Sequence, residues 1–459
     1  MKIYNTLSGR EEEFVPQGEV VRMYVCGVTP YAECHLGHAM SYVVFDVVRR
    51  YLEFKGYKVK HVQNFTDIDD KIIDRAHKSG TSPAELAEKF ISQYFVDMDK
   101  LNIKRAHVYP RATEEIPKII EVVQGLVDRG HAYQAGGDVY FRVSSAPDYG
   151  KLSHQGLEAL QAGARVEVGA GKEYPLDFAL WKAAKPGEPW WESPWGRGRP
   201  GWHIECSAMS LRHLGETLDI HGGGQDLIFP HHENEIAQSE SFTEVTPFVK
   251  YWMHNGFVQL GGEKMSKSLG ILVTIKEVLE RFTPDAIRFF ILSSHYRSPI
   301  SFSEENLAAA EKGVERLRQS ALDNGQCEVK GSTGAIDAEL FRQRFIDAMD
   351  DDFNTAQAVA ALFDLAREIN RATSQGADVR QARENLIELG NVLGFTFQEK
   401  EIKLAAEPFI DLLISIRAEL RNEKQWRMAD RVRSCLKDLG IVLEDTPQGT
   451  IWKYEKPMG

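Results

Sequence analysis

The sequence predicts an α/β protein with a doubly wound parallel sheet, interrupted by an inserted segment and followed by a mostly helical region. Near the start of the chain, residues 22–26 have the pattern of a buried strand, residues 39–57 that of a helix and residues 58–64 that of a second strand. Strand–helix–strand units of this kind build parallel sheets. A long stretch rich in Gly, Pro and Trp ends near Gly201, and helical patterns dominate from Ser303 onward.

The other elements follow in chain order. In the sheet domain and its insertion, they are a helical stretch at 83–130, a strand at 138–143, irregular chain up to residue 201, a strand at 218–221, a helix from about His231 and a helix at 283–292. In the helical region, they are a Gly- and Ser-rich linker at 324–335, a capped helix junction at 350–355 and a strand pair at 440–452. The predicted domains are the first half of the sheet domain at 1–130, the insertion at 131–200, the second half of the sheet domain at 201–300, a helical bundle at 301–400 and a C-terminal region at 401–459.

The composition is that of a globular protein in a reducing compartment. Of the 459 residues, 43% are hydrophobic, yet no apolar run approaches the roughly 20 residues that a membrane-spanning helix needs. Residues 1–13 contain no apolar segment of the kind that a secretion signal carries, so we expect a cytoplasmic location and no membrane partner. The five cysteines are odd in number and scattered, which argues against a disulfide framework and favours metal binding or chemistry.

Two short motifs, far apart in the chain, predict a site for a nucleoside triphosphate. They are His35-Leu36-Gly37-His38 and Lys264-Met265-Ser266-Lys267-Ser268. The first opens a predicted helix, whose N-terminus attracts anions, and Gly37 leaves room for a base or ribose on the backbone. The histidines and lysines can donate to phosphate oxygens, and the glycines around the second motif suit a loop that closes over pyrophosphate. Either motif alone is equally consistent with stray histidines or a solvated lysine loop, but the ordered pair favours the nucleotide site.

Four residues form a candidate metal site: Cys26, Cys206, His231 and Glu235. His231 and Glu235 are four residues apart on a predicted helix and therefore share a face, while Cys26 follows a strand just before the first motif. Two thiolates, an imidazole and a carboxylate suit Zn²⁺. Because no Cys-x-x-Cys pair is present, the residues alone leave two readings open, a zinc site or buried inert cysteines. His232 is an alternative ligand to His231.

A basic segment near the C-terminus is a candidate nucleic-acid surface. The formal net charge of the chain is −12, but residues 417–437 hold seven basic and three acidic residues, a local charge of +4. Trp426 lies within the segment and offers a surface for base stacking. The alternative is a solvated helix face. Four basic residues are predicted to share one face of a helix: Arg417, Arg421, Lys424 and Arg431.

The two short motifs resemble those of the class I aminoacyl-tRNA synthetases, with Leu36 where the family pattern has isoleucine. Further stretches resemble the cysteinyl-tRNA synthetases within that class, and the similarity extends over essentially the whole chain. These stretches are Tyr-Val-Cys-Gly at 24–27, Asn-Phe-Thr-Asp-Ile-Asp-Asp-Lys at 64–71, Gly-Trp-His-Ile-Glu-Cys-Ser at 201–207, Asp-Ile-His-Gly-Gly-Gly at 219–224 and Pro-His-His-Glu-Asn-Glu at 230–235.

The resemblance implies a Rossmann-like catalytic domain and a helical, tRNA-binding C-terminal region. It implies ligation of L-cysteine to tRNA(Cys) through a cysteinyl-adenylate made from ATP with Mg²⁺, by a monomer. One Zn²⁺ per subunit would bind the substrate thiolate and distinguish cysteine from serine. The expected roles are phosphate stabilisation by His35, His38, Lys264 and Lys267; nucleotide binding by Gly37, Gly222, Gly223, Ser266 and Ser268; substrate contacts by Thr66, Trp202, His221 and Asp226; zinc ligation by Cys26, Cys206, His231 and Glu235; and tRNA contacts by Arg421, Trp426, Arg427 and Arg431.

Three alternatives have less support. A ligase that joins cysteine to a small amine, as in mycothiol synthesis, would lack the helical and basic C-terminal region. A zinc peptidase, suggested by His232-Glu233, would need a second histidine where the chain has Ile236. A non-catalytic tRNA-binding relative would be expected to have lost motif lysines or histidines, and both motifs are intact here.

Overall fold

The computed structural model describes residues 1–156, 171–260, 272–322, 336–399, 406–446 and 449–454, together with the backbone of residues 263 and 264. The chain divides into two compact units, Met1–Gln398 and Glu399–Gly459, which are described separately. In the ranges given, no helix is both long enough and apolar enough to cross a membrane.

The first unit opens with a hairpin and half of a parallel sheet, interrupted by an antiparallel sheet. The first elements are β1 Lys2–Asn5, β2 Arg10–Glu13, β3 Val20–Val28, α1 Leu36–Phe54, β4 Lys58–Phe65, α2 Asp70–Ser79, α3 Pro83–Lys100 and α4 Ile116–Asp128. The inserted antiparallel sheet consists of β5 Ala132–Ala135, β6 Asp138–Phe141, β7 Phe178–Ala183 and β8 Gly198–Pro200. The second half contains α5 Trp202–Leu214, β9 Leu218–Gly224, α6 Glu233–Thr243, β10 Val249–Asn255, β11 Val258–Leu260, β12 Glu263–Lys264, α7 Ile275–Leu279, α8 Pro284–Leu292 and β13 Ile300–Phe302.

The four central strands are all parallel and lie in the order β10-β9-β3-β4. The chain runs outward from β3 to β4 in one direction and from β9 to β10 in the other, so the sheet is doubly wound with its switch point between β3 and β9. Strand β3, with the sequence VVRMYVCGV, is buried over most of its length, as expected of a strand covered on both faces. The predicted doubly wound parallel sheet is confirmed.

Helix α1 begins at the first motif. His35 is its N-cap, and its side chain accepts a hydrogen bond from Gly37 N, while the His38 side chain accepts one from His35 N. This is a capping box built from two imidazoles in place of the usual hydroxyl and carboxylate. The predicted helix at 39–57 is confirmed, with an earlier start at Leu36 and an end at Phe54.

Two predictions for the chain between the halves of the sheet are wrong. The helical stretch predicted at 83–130 is broken between α3 and α4, because Asn102 adopts a left-handed conformation with φ 54° and Val108 pairs in parallel with Val62 of β4. The chain predicted to be irregular up to residue 201 contains β7 and β8, which pair antiparallel with each other. Strand β8 lies at the edge of its sheet, where Pro200 is tolerated.

The helical region continues the first unit. It consists of α9 Glu304–Ala321, α10 Ala338–Asp350, α11 Thr355–Ser374 and α12 Arg380–Val392. The linker predicted at 324–335 lies outside the described residues. The capped junction predicted at 350–355 is confirmed, because α10 ends at Asp350 and the Asn354 side chain caps α11 by accepting a hydrogen bond from Gln357 N.

The second unit consists of two helices and a hairpin: α13 Glu407–Asn422, α14 Trp426–Asp438, β14 Ile441–Thr446 and β15 Gly449–Tyr454. The predicted strand pair is confirmed. The predicted single basic helix face is wrong, because Lys424 adopts φ 61° and the helix ends before it. Arg417 and Arg421 therefore belong to α13 and Arg431 to α14.

Candidate active site

A cleft of about 450 Å³ opens at the carboxyl ends of the central strands, where the switch point predicts a ligand site. It is bounded by β3, the N-terminus of α1, the start of α5 and the segments that follow β9 and β10. A larger cavity of about 640 Å³ lies between α8, α9 and α11 and includes none of the predicted site residues. The predicted site residues that line the cleft are Cys26, His35, Gly37, His38, Trp202, Gly223 and Asp226.

The two histidines of the first motif form a stacked pair in this cleft. Their ring centroids are 3.9 Å apart, with 23° between the ring planes. Nδ1 of His35 accepts a hydrogen bond from Gly37 N at 3.1 Å, and Nδ1 of His38 accepts one from His35 N at 3.2 Å. Because both Nδ1 atoms accept, each neutral ring carries its proton on Nε2. The pair therefore presents N–H donors at a helix N-terminus, an arrangement suited to phosphate.

The three glycines predicted to contact the nucleotide have different surroundings. A Cβ on Gly37 would lie 2.9 Å from Cε1 of His35, so the absent side chain makes room for that imidazole. A Cβ on Gly222 would lie 2.2 Å from the Phe45 ring on α1, which is a packing requirement of the core. Gly223 lines the cleft, whereas Gly222 is buried behind it.

Beside the cleft lies a buried cluster of metal-binding side chains. Cys26 Sγ is 3.3 Å from His232 Nε2 and 3.6 Å from Glu235 Oε1. His231 Nε2 is 3.0 Å from the same Glu235 oxygen. One ligand atom from each of these four residues lies within 4.8 Å of the other three. The cluster offers a thiol, two imidazoles and a carboxylate, a donor set that suits Zn²⁺.

Cys206 and His221 lie against this cluster. The Cys26 thiol donates to the Cys206 sulfur at 3.9 Å, and His221 Nε2 is 3.6 Å from both Cys26 Sγ and Glu235 Oε2. All four residues are buried. The structure thus brings three of the predicted ligands, Cys26, His231 and Glu235, into one group with His232, and it places the fourth, Cys206, beside Cys26.

Burial controls the protonation of the cluster. Burial raises the pKa of Glu235 and of Cys26, whereas the hydrogen bond from Cys26 lowers the pKa of Cys206 to about 7. Burial also lowers the pKa of His232, which favours the neutral imidazole that metals bind. Among the described residues, Glu235 Oε2 accepts no hydrogen bond. A divalent cation would satisfy this oxygen and compensate the negative charge of deprotonated thiols and carboxylate.

A second layer of hydrogen bonds orients the imidazoles, and sequence reasoning missed it. His231 Nδ1 is 2.9 Å from His203 Nδ1, and His232 Nδ1 is 2.7 Å from His254 Nε2. His254 Nδ1 in turn lies 2.8 Å from the Thr6 hydroxyl. Such partners fix the tautomer of a metal-binding histidine. His254 could have been found from sequence, because it stands near the carboxyl end of β10, at the same edge of the sheet as Cys26.

The predicted amino-acid contacts fall into two groups. Trp202 and Asp226 line the cleft, and the Trp202 ring stacks on His231 with centroids 4.4 Å apart at 18°. The Trp202 side chain is 40% exposed. One part of it faces the cleft, and its ring covers His231 of the cluster. Thr66, just after β4, and His221, in the middle of β9, are buried and are not part of the cleft lining. His221 reaches the cluster instead.

The second motif and the basic segment are only partly described. The backbone of Lys264 lies in β12, which pairs with β11 next to the cleft, whereas Ser266, Lys267 and Ser268 lie outside the described residues.

In the second unit, Trp426, Arg427 and Arg431 are exposed.

Arg417, which the sequence placed on the exposed basic face, is buried. It donates to both carboxylate oxygens of Asp445, at 2.8 and 2.9 Å. Arg421 donates to the same carboxylate at 2.9 Å. Arg417 is therefore part of the core of the second unit, and Arg421 is held at its edge.

Comparison with known proteins identifies the family. The profile described as "tRNA synthetases class I (C) catalytic domain" matches residues 13–312, and the "DALR domain" profile matches residues 344–398. The chain belongs to the cysteinyl family of class I tRNA synthetases. The predicted resemblance is confirmed, and the enzyme combines a class I catalytic domain with a helical DALR domain.

Individual relatives agree with this assignment. A cysteine–tRNA ligase of Dehalococcoides mccartyi is 60% identical over 458 residues, which cover 99% of this chain and 100% of the relative. That of Carboxydothermus hydrogenoformans is 54% identical over 468 aligned positions, with 99% and 100% covered. Among solved structures, a methionyl-tRNA synthetase of Mycobacterium tuberculosis in complex with methionyl-adenylate has a TM-score of 0.59 at 17% identity, covering 82% of this chain and 90% of that one. This last similarity shows the fold.

Proposed function

We propose that the cleft binds ATP and L-cysteine, forms cysteinyl-adenylate and passes the cysteinyl group to tRNA(Cys). The enzyme is an ATP-dependent cysteine–tRNA ligase of class I. The observation that carries the proposal is a stacked histidine pair at a helix N-terminus, in one cleft with a buried Cys, His and Glu cluster. The 60% identity to a cysteine–tRNA ligase, which extends over 99% of the chain, supports cysteine as the amino acid and tRNA(Cys) as its acceptor.

In the first step, a carboxylate oxygen of cysteine attacks the α-phosphorus of ATP, and the bond to the bridging oxygen breaks to release pyrophosphate. The Nε2–H groups of His35 and His38 donate to phosphate oxygens on which negative charge develops. We assign Lys264 and Lys267 of the second motif to the leaving pyrophosphate, and Ser266 and Ser268 to nucleotide contacts, on the basis of the family resemblance. Gly37 and Gly223 let the nucleotide approach the backbone, while Gly222 serves the packing of α1.

In the second step, a hydroxyl of the terminal adenosine of tRNA attacks the carbonyl carbon of the adenylate, and AMP leaves. Asp226 at the rim of the cleft is the residue we assign to the α-ammonium group of cysteine. Trp202 closes the side of the pocket next to the cluster. Thr66 and His221 support this pocket from behind, because Thr66 is buried just after β4 and His221 is buried within β9.

We propose Cys26, Cys206, His231 and Glu235 as ligands of one Zn²⁺, with His232 as the alternative imidazole. The fit rests on the clustered donor atoms and on the buried Glu235 oxygen that accepts no hydrogen bond among the described residues. Bound zinc would supply a soft Lewis acid that accepts a thiolate far better than a hydroxyl. Without it, the pocket could distinguish cysteine from serine only weakly, about 10- to 200-fold.

The remaining parts of the proposal concern partners and location. Trp426, Arg427 and Arg431 are exposed and can stack on bases or pair with phosphates of tRNA, with Arg421 beside them. Mg²⁺ accompanies ATP. We further propose a cytoplasmic monomer. The free thiols of Cys26, Cys34, Cys206 and Cys435 are in keeping with a reducing compartment.

The test is cysteine-dependent exchange of pyrophosphate into ATP, with serine as the competing amino acid. We expect exchange with cysteine, far less with serine, and loss of cysteine exchange in Cys26→Ser and after treatment with a zinc chelator. Cys435→Ser is the matched control, because Cys435 is exposed in the second unit. Normal cysteine exchange by the metal-free enzyme would contradict the zinc assignment. Transfer of cysteine to a glucosamine-type amine instead of tRNA(Cys) would favour the small-amine alternative.

A further inference from the structure

The junction between α10 and α11 holds a buried carboxylate with several donors. Asp352 Oδ1 accepts hydrogen bonds from Tyr4 N at 2.8 Å and from the Tyr296 hydroxyl at 2.9 Å. Its Oδ2 accepts from Arg297 Nε at 2.8 Å, and His295 Nε2 lies 3.5 Å from the same oxygen. The side chain is only 2% exposed. One residue of the helical bundle is thus bonded to the N-terminal hairpin and to the segment that follows α8.

The backbone at this junction adopts an unfavourable conformation. Asp352 and Phe353 are consecutive residues with φ of 51° and 53°, and neither is glycine. Phe353 is buried and packs edge-on against Tyr51 of α1, with ring centroids 6.0 Å apart. Backbone strain of this kind persists only where surrounding contacts hold it, and it concentrates at functional positions. The strained turn places the Asp352 carboxylate against Arg297.

On its other side, the segment around Arg297 supports the active-site cleft. Gly256, a lining residue, donates from its N–H to Tyr296 O at 2.8 Å. The Gln225 side chain donates to Arg297 O at 3.2 Å, and Gln225 stands between the lining residues Gly224 and Asp226. A Cβ on Gly256 would lie 2.5 Å from Ser298 O, so the two segments are in direct backbone contact.

The same segment also leads to the second motif. Strand β13, which begins at Ile300, pairs in parallel with β11. Strand β11 pairs in turn with β12, which contains Lys264. A movement of residues 295–298 would therefore displace both the edge of the cleft and the strand that enters the lysine-serine motif.

We propose that Asp352 is a positioning residue that couples the helical region to the active-site cleft through Arg297. The inference rests on the proposed function, in which the cleft transfers cysteine to tRNA(Cys), and it adds the premise that tRNA also contacts the helical bundle. When tRNA engages the bundle, the junction is fixed, and the Asp352–Arg297 pair holds residues 295–298 and the adjoining cleft wall in the geometry for transfer. Asp352 touches neither ATP nor cysteine.

The test uses Asp352→Asn, which removes only one of the three hydrogen bonds that the Asp352 carboxylate accepts. An asparagine oxygen at the Oδ1 position still accepts from Tyr4 N and the Tyr296 hydroxyl, while its amide replaces the Oδ2 acceptor of Arg297. Asparagine also tolerates the left-handed conformation. Asp351→Asn is the matched control, because Asp351 is the exposed neighbour and the charge change is identical. Arg297→Lys is the second variant, which keeps the charge and removes the Nε donor.

Three activities of the full-length enzyme are compared: pyrophosphate exchange without tRNA, charging of full-length tRNA(Cys), and charging of a minihelix that carries only its acceptor stem. For Asp352→Asn we expect kcat with full-length tRNA to fall about tenfold, within the usual range of coupling between sites. Exchange, minihelix charging and the KM for tRNA should stay within about twofold of wild type. Arg297→Lys should follow Asp352→Asn, and Asp351→Asn should behave as wild type.

Several results would overturn the inference. An equal fall in exchange and in both charging reactions would mean that Asp352 only supports the fold of the cleft. A rise in KM for tRNA with unchanged kcat would make it part of a docking surface, and unchanged charging would remove the coupling altogether. Wild-type charging is measured first, because its absence would refute the proposed function itself, whereas normal wild-type charging with an unaffected Asp352→Asn refutes this inference alone.

Discussion

Substitution of Gly37 by alanine tests how the first motif works. The new Cβ would lie 2.9 Å from Cε1 and 3.0 Å from Nδ1 of His35. Since carbon atoms pack at about 3.5–4.0 Å, the imidazole must move by roughly 0.5–1 Å. That movement breaks the hydrogen bond from Gly37 N and unstacks His35 from His38. A displacement of this size at a catalytic group costs about 10- to 100-fold in rate.

The stability of the Gly37→Ala variant should change little. Gly37 lies in the first turn of α1, where alanine gains about 1 kcal/mol of helix propensity over glycine, which offsets part of the clash. By contrast, a Cβ on Gly222 would meet the Phe45 ring at 2.2 Å, and overpacking of this kind costs about 1–3 kcal/mol of unfolding free energy. Gly18→Ala is the control, because no atom lies within 4 Å of its Cβ position.

The assays are pyrophosphate exchange and chemical denaturation of the same three variants. We expect Gly37→Ala to lose exchange at nearly unchanged stability, Gly222→Ala to lose stability, and Gly18→Ala to change neither. A Gly37→Ala enzyme that exchanges at the wild-type rate would refute the argument that the His35 ring position sets the rate. A Gly37→Ala protein that unfolds as easily as Gly222→Ala would show that the glycine serves the fold instead.

Three further predictions concern residues away from the nucleotide. His203→Ala should weaken zinc binding about 10- to 100-fold in competition with a chromophoric chelator, because His203 orients the proposed ligand His231; unchanged affinity would show that His203 does not support the site. Trp426→Ala should raise the KM for tRNA about fivefold or more while exchange stays constant, because base stacking is lost; an unchanged KM would show that no base stacks there. Arg417 holds the pKa of Asp445 well below its usual range, so their pair stabilises the second unit at neutral pH and is lost as pH falls below about 4. Arg417→Gln should reduce that acid-dependent part of the unfolding free energy by about 1 kcal/mol after allowance for solvent screening, with Arg421 retaining the rest, and an identical pH profile in the variant would contradict the assignment.

The sheet and its ligand edge could be predicted because they depend on local patterns. Apolar runs at 22–26 and 58–64 flank a helical pattern, and parallel strands then follow from the handedness of the connection. The motif at His35 marks the helix N-terminus through residues adjacent in sequence. The same reasoning places Cys26 at the end of a strand beside that motif, and in the structure both Cys26 and His35 line the cleft.

The basic C-terminal segment shows what such reasoning misses. Helical spacing put Arg417, Arg421, Lys424 and Arg431 on one face, but the spacing assumes a continuous helix. The left-handed Lys424 follows the end of that helix, and the residue in the left-handed position is a lysine, not the glycine or asparagine that usually marks such a turn in a sequence. The buried pair between Arg417 and Asp445 joins residues 28 positions apart, and nothing local to either residue predicts that contact.

The cluster of Cys26, His231, His232 and Glu235 could be predicted from the sequence only in part. The sequence could place His231 and Glu235 on one helix face and favoured His231, but it left His232 as an alternative, because both i+3 and i+4 neighbours of Glu235 share its side. In the structure, Nε2 of each histidine faces the cluster, and each Nδ1 faces a different partner, His203 or His254. We infer that the hydrogen bonds behind the rings decide which imidazole would bind a metal ion. Those partners come from α5 and β10, so the selection depends on tertiary contacts that no pattern along α6 records.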